Sequence, residues 1–212
     1  MDRLPLYQDL FLMSHHESGK PLIHRPSMAL GLAGAVLVEL ALSDRVTVVQ
    51  GRATVTDRTR TGDPIIDGLA TLILRDRANR DVTYWIKKVA DDVYDRTRHQ
   101  LVASGVLVPV TSRLLGMLPY TRYQLADLAS VVRASARVRF AVEGWREADA
   151  LSAALCGLVA VLQVEGELYL DQPSSQLIGR LRAIAAEHSP VVKELVGIVD
   201  ALVGEAAVAV YR

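Results

Sequence analysis

The chain has 212 residues, half of them hydrophobic and 23% charged, with 24 basic and 24 acidic side chains. That excludes a disordered chain, and it excludes a global field strong enough to pull the protein onto nucleic acid or an anionic bilayer. The one cysteine, Cys156, rules out an intrachain disulfide or a multi-thiolate metal site, and 5% aromatics are thin for stacking nucleobases.

The N-terminus carries neither a basic stretch nor an apolar run of signal-peptide type. Apolar residues at 6, 10, 11 and 13 predict a short amphipathic helix over 4–14, followed by a polar loop at 15–21. The adjacent His15 and His16 read as two solvated loop residues. Ser27 is placed to cap a helix over 28–42 that is apolar nearly all round, and which therefore belongs at the centre of a core. This run and 150–164 have 15 residues each, short of the roughly 20 needed to cross a bilayer. The expectation is a cytoplasmic protein that reaches a membrane only from the side.

Two β-branched runs, 45–49 and 52–56, flank Gln50-Gly51 and predict a β-hairpin. Asp63 and Pro64 suit the cap and first position of the next helix. Asp67 then faces the positive end of that helix, which explains both carboxylates without an acid pair. Residues 83–104 predict a helix in two pieces, closed by Gly105. Asp91, Asp92 and Asp95 lie among its basic residues, and Arg133 and Arg137 on the later helix look less offset by acids. A second hairpin is expected with strands 106–110 and 114–118 around a turn at 111–113. Its returning strand, Leu114-Leu115-Gly116-Met117-Leu118, is apolar on both faces, where a half-exposed strand should alternate. Either both faces are buried within the monomer, or one face meets a second subunit or a lipid surface; Arg113 and Arg122 flank the run, and an apolar tip with a basic rim is the pattern of a shallow membrane anchor. The rest predicts helices over 125–142, 149–164, 174–187 and 190–210, with Asp149, Ser174 and Ser189 as caps. The fold class is mostly α: one domain over 1–212, a single globular helical body with two β-hairpins, one of them protruding.

No hydrolase, phosphate-loop, dinucleotide or zinc-protease motif is present, and no spacing suggests a metal site or a cofactor. Charge is uneven: residues 75–147 hold 13 basic and 8 acidic groups, whereas the C-terminal third is acidic.

Four segments in order carry a resemblance: 4–12 (LPLYQDLFL), 31–42 (GLAGAVLVELAL), 61–67 (TGDPIID) and 101–107 (LVASGVL). The chain resembles the Golgi phosphoprotein 3 family over nearly its whole length, with the composition of a bacterial member. The resemblance implies a mostly helical fold with a protruding hairpin and a non-enzymatic peripheral membrane protein. In the family this means binding of phosphatidylinositol 4-phosphate and service as an adaptor for client proteins. The family's headgroup ligands, a Trp and three Arg, fall at His24, Ala33, Asp91 and Tyr94. None of the four is retained. Arg25, beside His24, and Arg98, on the helix face of 91 and 94, are the substitute headgroup ligands, together with His24 itself. Leu114, Leu115, Met117 and Leu118 match the family's membrane-inserting, self-associating tip. The expected partners are an anionic phospholipid headgroup on the inner membrane face, a second copy of the chain and client proteins, with no nucleic acid. The alternative is a winged-helix-like nucleic-acid-binding regulator, drawn from helices followed by hairpins and the basic middle third.

Overall fold

In a computed structural model the protein is described over residues 3–114 and 118–210. The helices are α1 (Leu6–Met13), α2 (Arg25–Leu42), α3 (Pro64–Arg75), α4 (Val82–Ala90), α5 (Val93–Ala103), α6 (Leu128–Glu143), α7 (Ala150–Leu162), α8 (Ser174–His188) and α9 (Pro190–Val210). The strands are β1 (Val46–Val49), β2 (Arg52–Val55), β3 (Leu107–Leu114) and β4 (Leu118–Leu125), paired as two antiparallel hairpins. The molecule is mostly α, as the sequence predicts.

The all-round apolar helix α2 is the axis of the core. It packs against α1, α3, α4, α5, α7 and α9, and Leu32, Ala35, Val36, Leu37 and Leu40 are fully enclosed. Gly34 sets its distance from α9, since a Cβ there would lie 2.3 Å from Val199 Cγ2. By length and composition α2 could cross a membrane, but 67% of it is buried inside this fold. α7, the second apolar run, is buried from Ser152 to Leu162 and packs on α2, α8 and α9.

Acidic caps start the helices. Asp63 accepts from the amides of Ile65 (2.8 Å) and Ile66 (3.1 Å), Asp81 from Tyr84 (2.8 Å), and Asp149 from Ser152 (2.7 Å). Two expected caps are corrected. α2 begins at Arg25 with His24 as N-cap, and Ser27 lies buried in its first turn. The reason is Pro26: its locked φ fits the first turn and its missing N–H has no partner to lose there. Ser174 is the first residue of α8 and turns its hydroxyl to Glu165 instead of its own backbone.

The β3–β4 hairpin is longer than the sequence reading made it. Residues 111–113 are strand, not turn, and Thr111 pairs with Thr121. Leu114 and Leu118 are therefore the last cross-strand pair, on opposite strands, and the unalternated single strand is corrected. Thr121 and Tyr123 supply β-propensity to the return, and Pro109 is tolerated because each strand of a two-stranded ribbon is an edge. Leu115 and Met117 lie outside the described residues. Val108, Pro109, Thr111, Thr121 and Arg122, just above its base, are exposed.

Candidate functional site

The candidate site lies where α5, the loop between α1 and α2, and the base of the β3–β4 ribbon meet. The loop is held against β4 by Leu125 N–H donating to Glu17 O (3.3 Å) and by a turn in which His16 N–H donates to Lys20 O (2.9 Å). Gly19 makes this possible: its φ is +78°, and a Cβ there would fall 1.6 Å from the Tyr123 carbonyl oxygen. Between these walls is a cleft of about 420 Å³ lined by His15, Lys20, Tyr94, Arg98, Arg122 and Tyr123, among others.

His15 is not a solvated loop residue, which corrects the sequence reading. It is buried and stacked on Phe11 with ring centroids 4.0 Å apart. Its Nδ1 lies 2.7 Å from Phe11 O and its Nε2 lies 2.9 Å from the Tyr94 hydroxyl. Burial pushes its pKa down to about 4, with Arg98 adding to the effect, so the ring is neutral at pH 7. A neutral ring donates through Nδ1 and accepts the Tyr94 hydroxyl proton at Nε2. That bond fixes the Tyr94 ring in place. Adjacent His16 is exposed.

Tyr94 is a wall with a guanidinium on either side. Arg25 lies 4.6 Å from its ring centroid and Arg98 lies 5.9 Å from it, while Arg98 also sits 4.6 Å over the Tyr123 ring. Asp95 ties the two arginines together, pairing with Arg98 at 2.8 Å and with Arg25 through its other oxygen. Arg25 and Arg98, singled out from the sequence, thus share one carboxylate and one aromatic ring. The Nε of Arg98 is buried without a hydrogen-bond partner among the described residues. Arg25 faces a second hollow, about 390 Å³, with Lys87, Asp91 and Tyr94. His24 is exposed and lines neither space. Ala33 is in the core, and Asp91 pairs with Lys88 at 3.6 Å, so these two positions present no cation.

A sequence model of the Golgi phosphoprotein 3 (GPP34) family matches residues 6–202, nearly the whole chain. The chain belongs to that family. No curated protein matches it in sequence. GPP34 proteins are peripheral, membrane-associated and of adaptor type, and their association with phosphoinositides is a property of the family in general.

Sequence reasoning missed Lys20 and Tyr123 as site residues, and counted Tyr94 only as a family ligand position that is not retained. Lys20 follows Ser18-Gly19, a loop signal with no ligand pattern, and the two tyrosines are 29 positions apart. Only the hairpin register places them together. Arg133 and Arg137 are less free than expected. Arg133 lies 3.6 Å from Asp127, and Arg137 pairs with the buried Asp9 of α1. Two further groups are structural: Cys156 is fully buried with its thiol pushed up to about 12, and Asp67 is taken up by Thr61 and Gly62.

Proposed function

We propose that this GPP34 protein is a non-enzymatic peripheral membrane adaptor that binds a phosphoinositide-like anionic phospholipid headgroup in the cleft beneath the β3–β4 ribbon. One observation carries the reading. Among the described residues, the charged side chains that line the cleft, Lys20, Arg98 and Arg122, are all cationic, and no carboxylate lines it. A phosphate beside Lys20 and Arg98 would meet a planar fork of donors backed by two aromatic faces, with the unpartnered Arg98 Nε among them. Arg25 supports the site from behind Tyr94 through Asp95, and His24 precedes it at the start of α2. In this chain the headgroup seat lies on the ribbon side of Tyr94, away from Asp91.

The ribbon supplies the apolar half. Leu114, Leu115, Met117 and Leu118 enter the bilayer or meet a second copy of the chain, with roughly 1.5–3 kcal/mol for each fully buried side chain. That is enough for reversible attachment at the cytoplasmic face of the inner membrane, where client proteins are then held. The winged-helix-like alternative is disfavoured. In the basic middle third Arg80, Lys88, Arg96, Arg98, Arg133 and Arg137 each have a carboxylate within 4 Å, so much of the charge there is locally offset.

Vesicle flotation tests the proposal. The protein should float with phosphatidylcholine vesicles doped with phosphatidylinositol 4-phosphate or phosphatidylglycerol, but not with phosphatidylcholine alone. Lys20→Ala with Arg98→Ala should weaken binding by roughly tenfold or more. Leu115→Asp with Met117→Asp should abolish flotation and alter the mass seen by light scattering. Unchanged flotation in both double variants refutes the site and the ribbon together.

A further inference from the structure

A second concave surface lies away from the ribbon, along α3. It is a trough of about 650 Å³ between α3 and the loop 56–63 that connects β2 to it. Pro64, Asp67, Gly68, Thr71, Leu72 and Arg75 all line it, which is one stripe of α3 at helical spacing. The trough therefore runs the helix's length, roughly 18 Å for twelve residues. An extended peptide at about 3.3 Å per residue covers that with five or six residues, whereas a single phosphate group would fill only part of it.

Its chemistry is two-sided. Arg58 and Arg60 stand on the loop and Arg75 in the last turn of α3, all exposed, and among the described residues none has a carboxylate within 4 Å. Arg96 closes the other end, donating to Pro64 O at 2.8 Å. The two acids in the lining are already occupied. Asp57 accepts from Thr59 N and Oγ1 (2.9 and 2.8 Å), and Asp67 from Thr61 N and Oγ1 (both 2.8 Å) and Gly62 N (3.2 Å). They shape the loop and lie in no ion pair with these arginines, and the lining stays net cationic, with Arg58, Arg60, Arg75 and Arg96 against two carboxylates. Leu72 and Leu74, 45% and 44% exposed, add apolar surface beside this charge. Unpaired arginines next to exposed leucines complement a chain that carries carboxylates and apolar side chains in alternation.

We infer that the α3 trough is a docking surface for an acidic, leucine-bearing peptide segment of a partner protein. The inference does not rest on the headgroup reading, because the trough and the ribbon cleft share no lining residue. Fluorescence anisotropy with a labelled Glu-Leu-Glu-Glu-Leu-Glu peptide tests it on the full chain. Binding should weaken with salt, fall roughly tenfold for each of Arg58→Ala, Arg60→Ala and Arg75→Ala, and fall several-fold when serine replaces leucine in the peptide. The three arginines are exposed, so an unchanged thermal midpoint will confirm intact folding. The triple variant should still float with anionic vesicles if the ribbon cleft binds them, which keeps the two readings separable. Equal binding of a lysine-for-glutamate peptide, no response to the triple substitution, or competition by pyrophosphate with no contribution from the leucines would each overturn the assignment.

Discussion

Gly19→Ala is the sharpest perturbation of the candidate site, because its consequences can be worked from one distance. The new Cβ would sit 1.6 Å from the Tyr123 carbonyl oxygen, where about 3.4 Å is an ordinary contact. The obstructing atom belongs to the backbone of β4, so no side-chain rotation relieves it. Loop and ribbon must separate by nearly 2 Å. That breaks the Glu17–Leu125 bond (3.3 Å), a loss of about 1 kcal/mol. The positive φ of +78° adds about 1–2 kcal/mol for a residue with a Cβ, and the lost packing under Tyr123 adds about 1 kcal/mol more. The expected total is about 3–4 kcal/mol, or a fall in thermal midpoint of about 6–16 °C for a chain of this size. Gly62→Ala is the matched control: its φ is +87° but nothing lies within 4 Å of the new Cβ, so only the conformational cost of about 1–2 kcal/mol applies. Differential scanning calorimetry of both variants decides the matter. Equal losses would refute the argument that close approach to β4, and not backbone conformation alone, demands glycine at 19. Anionic-vesicle binding should fall with Gly19→Ala and not with Gly62→Ala.

Three further outcomes are expected. Burial raises the Glu39 carboxyl from 4.5 to about 7, against the lowering effect of the Leu6 amide that it accepts at 2.7 Å; the folded state then holds a proton that the unfolded chain has lost, so this group's contribution is full below about pH 4.5 and is lost as pH rises through 7, by about 3 kcal/mol. Glu39→Gln should flatten that decline in chemical denaturation between pH 5 and 8, and an unaltered slope would reject the assignment. Arg137→Met strands Asp9, only 4% exposed, and should destabilise by about 3 kcal/mol at pH 8; because burial already raises Asp9 to about 6, the deficit should shrink toward pH 5 as the carboxyl protonates, and a deficit independent of pH would argue against it. Asp63→Ala removes the α3 cap and an acceptor 2.5 Å from the Tyr7 hydroxyl, for about 2–3 kcal/mol in urea denaturation, while Asp63→Asn should recover most of it.

The parts of the fold that are visible in sequence are those with local causes. The caps at Asp63 and Asp149, the first hairpin around Gln50-Gly51, the break between α4 and α5, and the central place of α2 follow from spacing, turn chemistry and hydropathy over a few residues. The second hairpin is less legible because Leu114 and Leu118, which read as one strand, pair across two. Tyr120 to Gln124, which carry the return, look like an ordinary polar stretch. The candidate site was legible only in Arg25 and Arg98. Their convergence on Asp95 joins α2 to α5 across 70 residues, and His15 could not be recognised as buried without knowing that Tyr94 and Phe11 enclose it. Solvated and enclosed histidines have the same sequence neighbours, and only packing distinguishes them.

The Tyr94 ring is a partition anchored at its hydroxyl by a neutral, buried imidazole, so the chambers on its two sides keep separate shapes. Their electrostatics are not separate, because the single carboxylate of Asp95 divides its attraction between one cation in each. An anion that draws Arg98 away leaves Asp95 wholly to Arg25. Drift in sequence can therefore re-line either chamber's walls without distorting the other, but cannot change the charge of one without the other registering it.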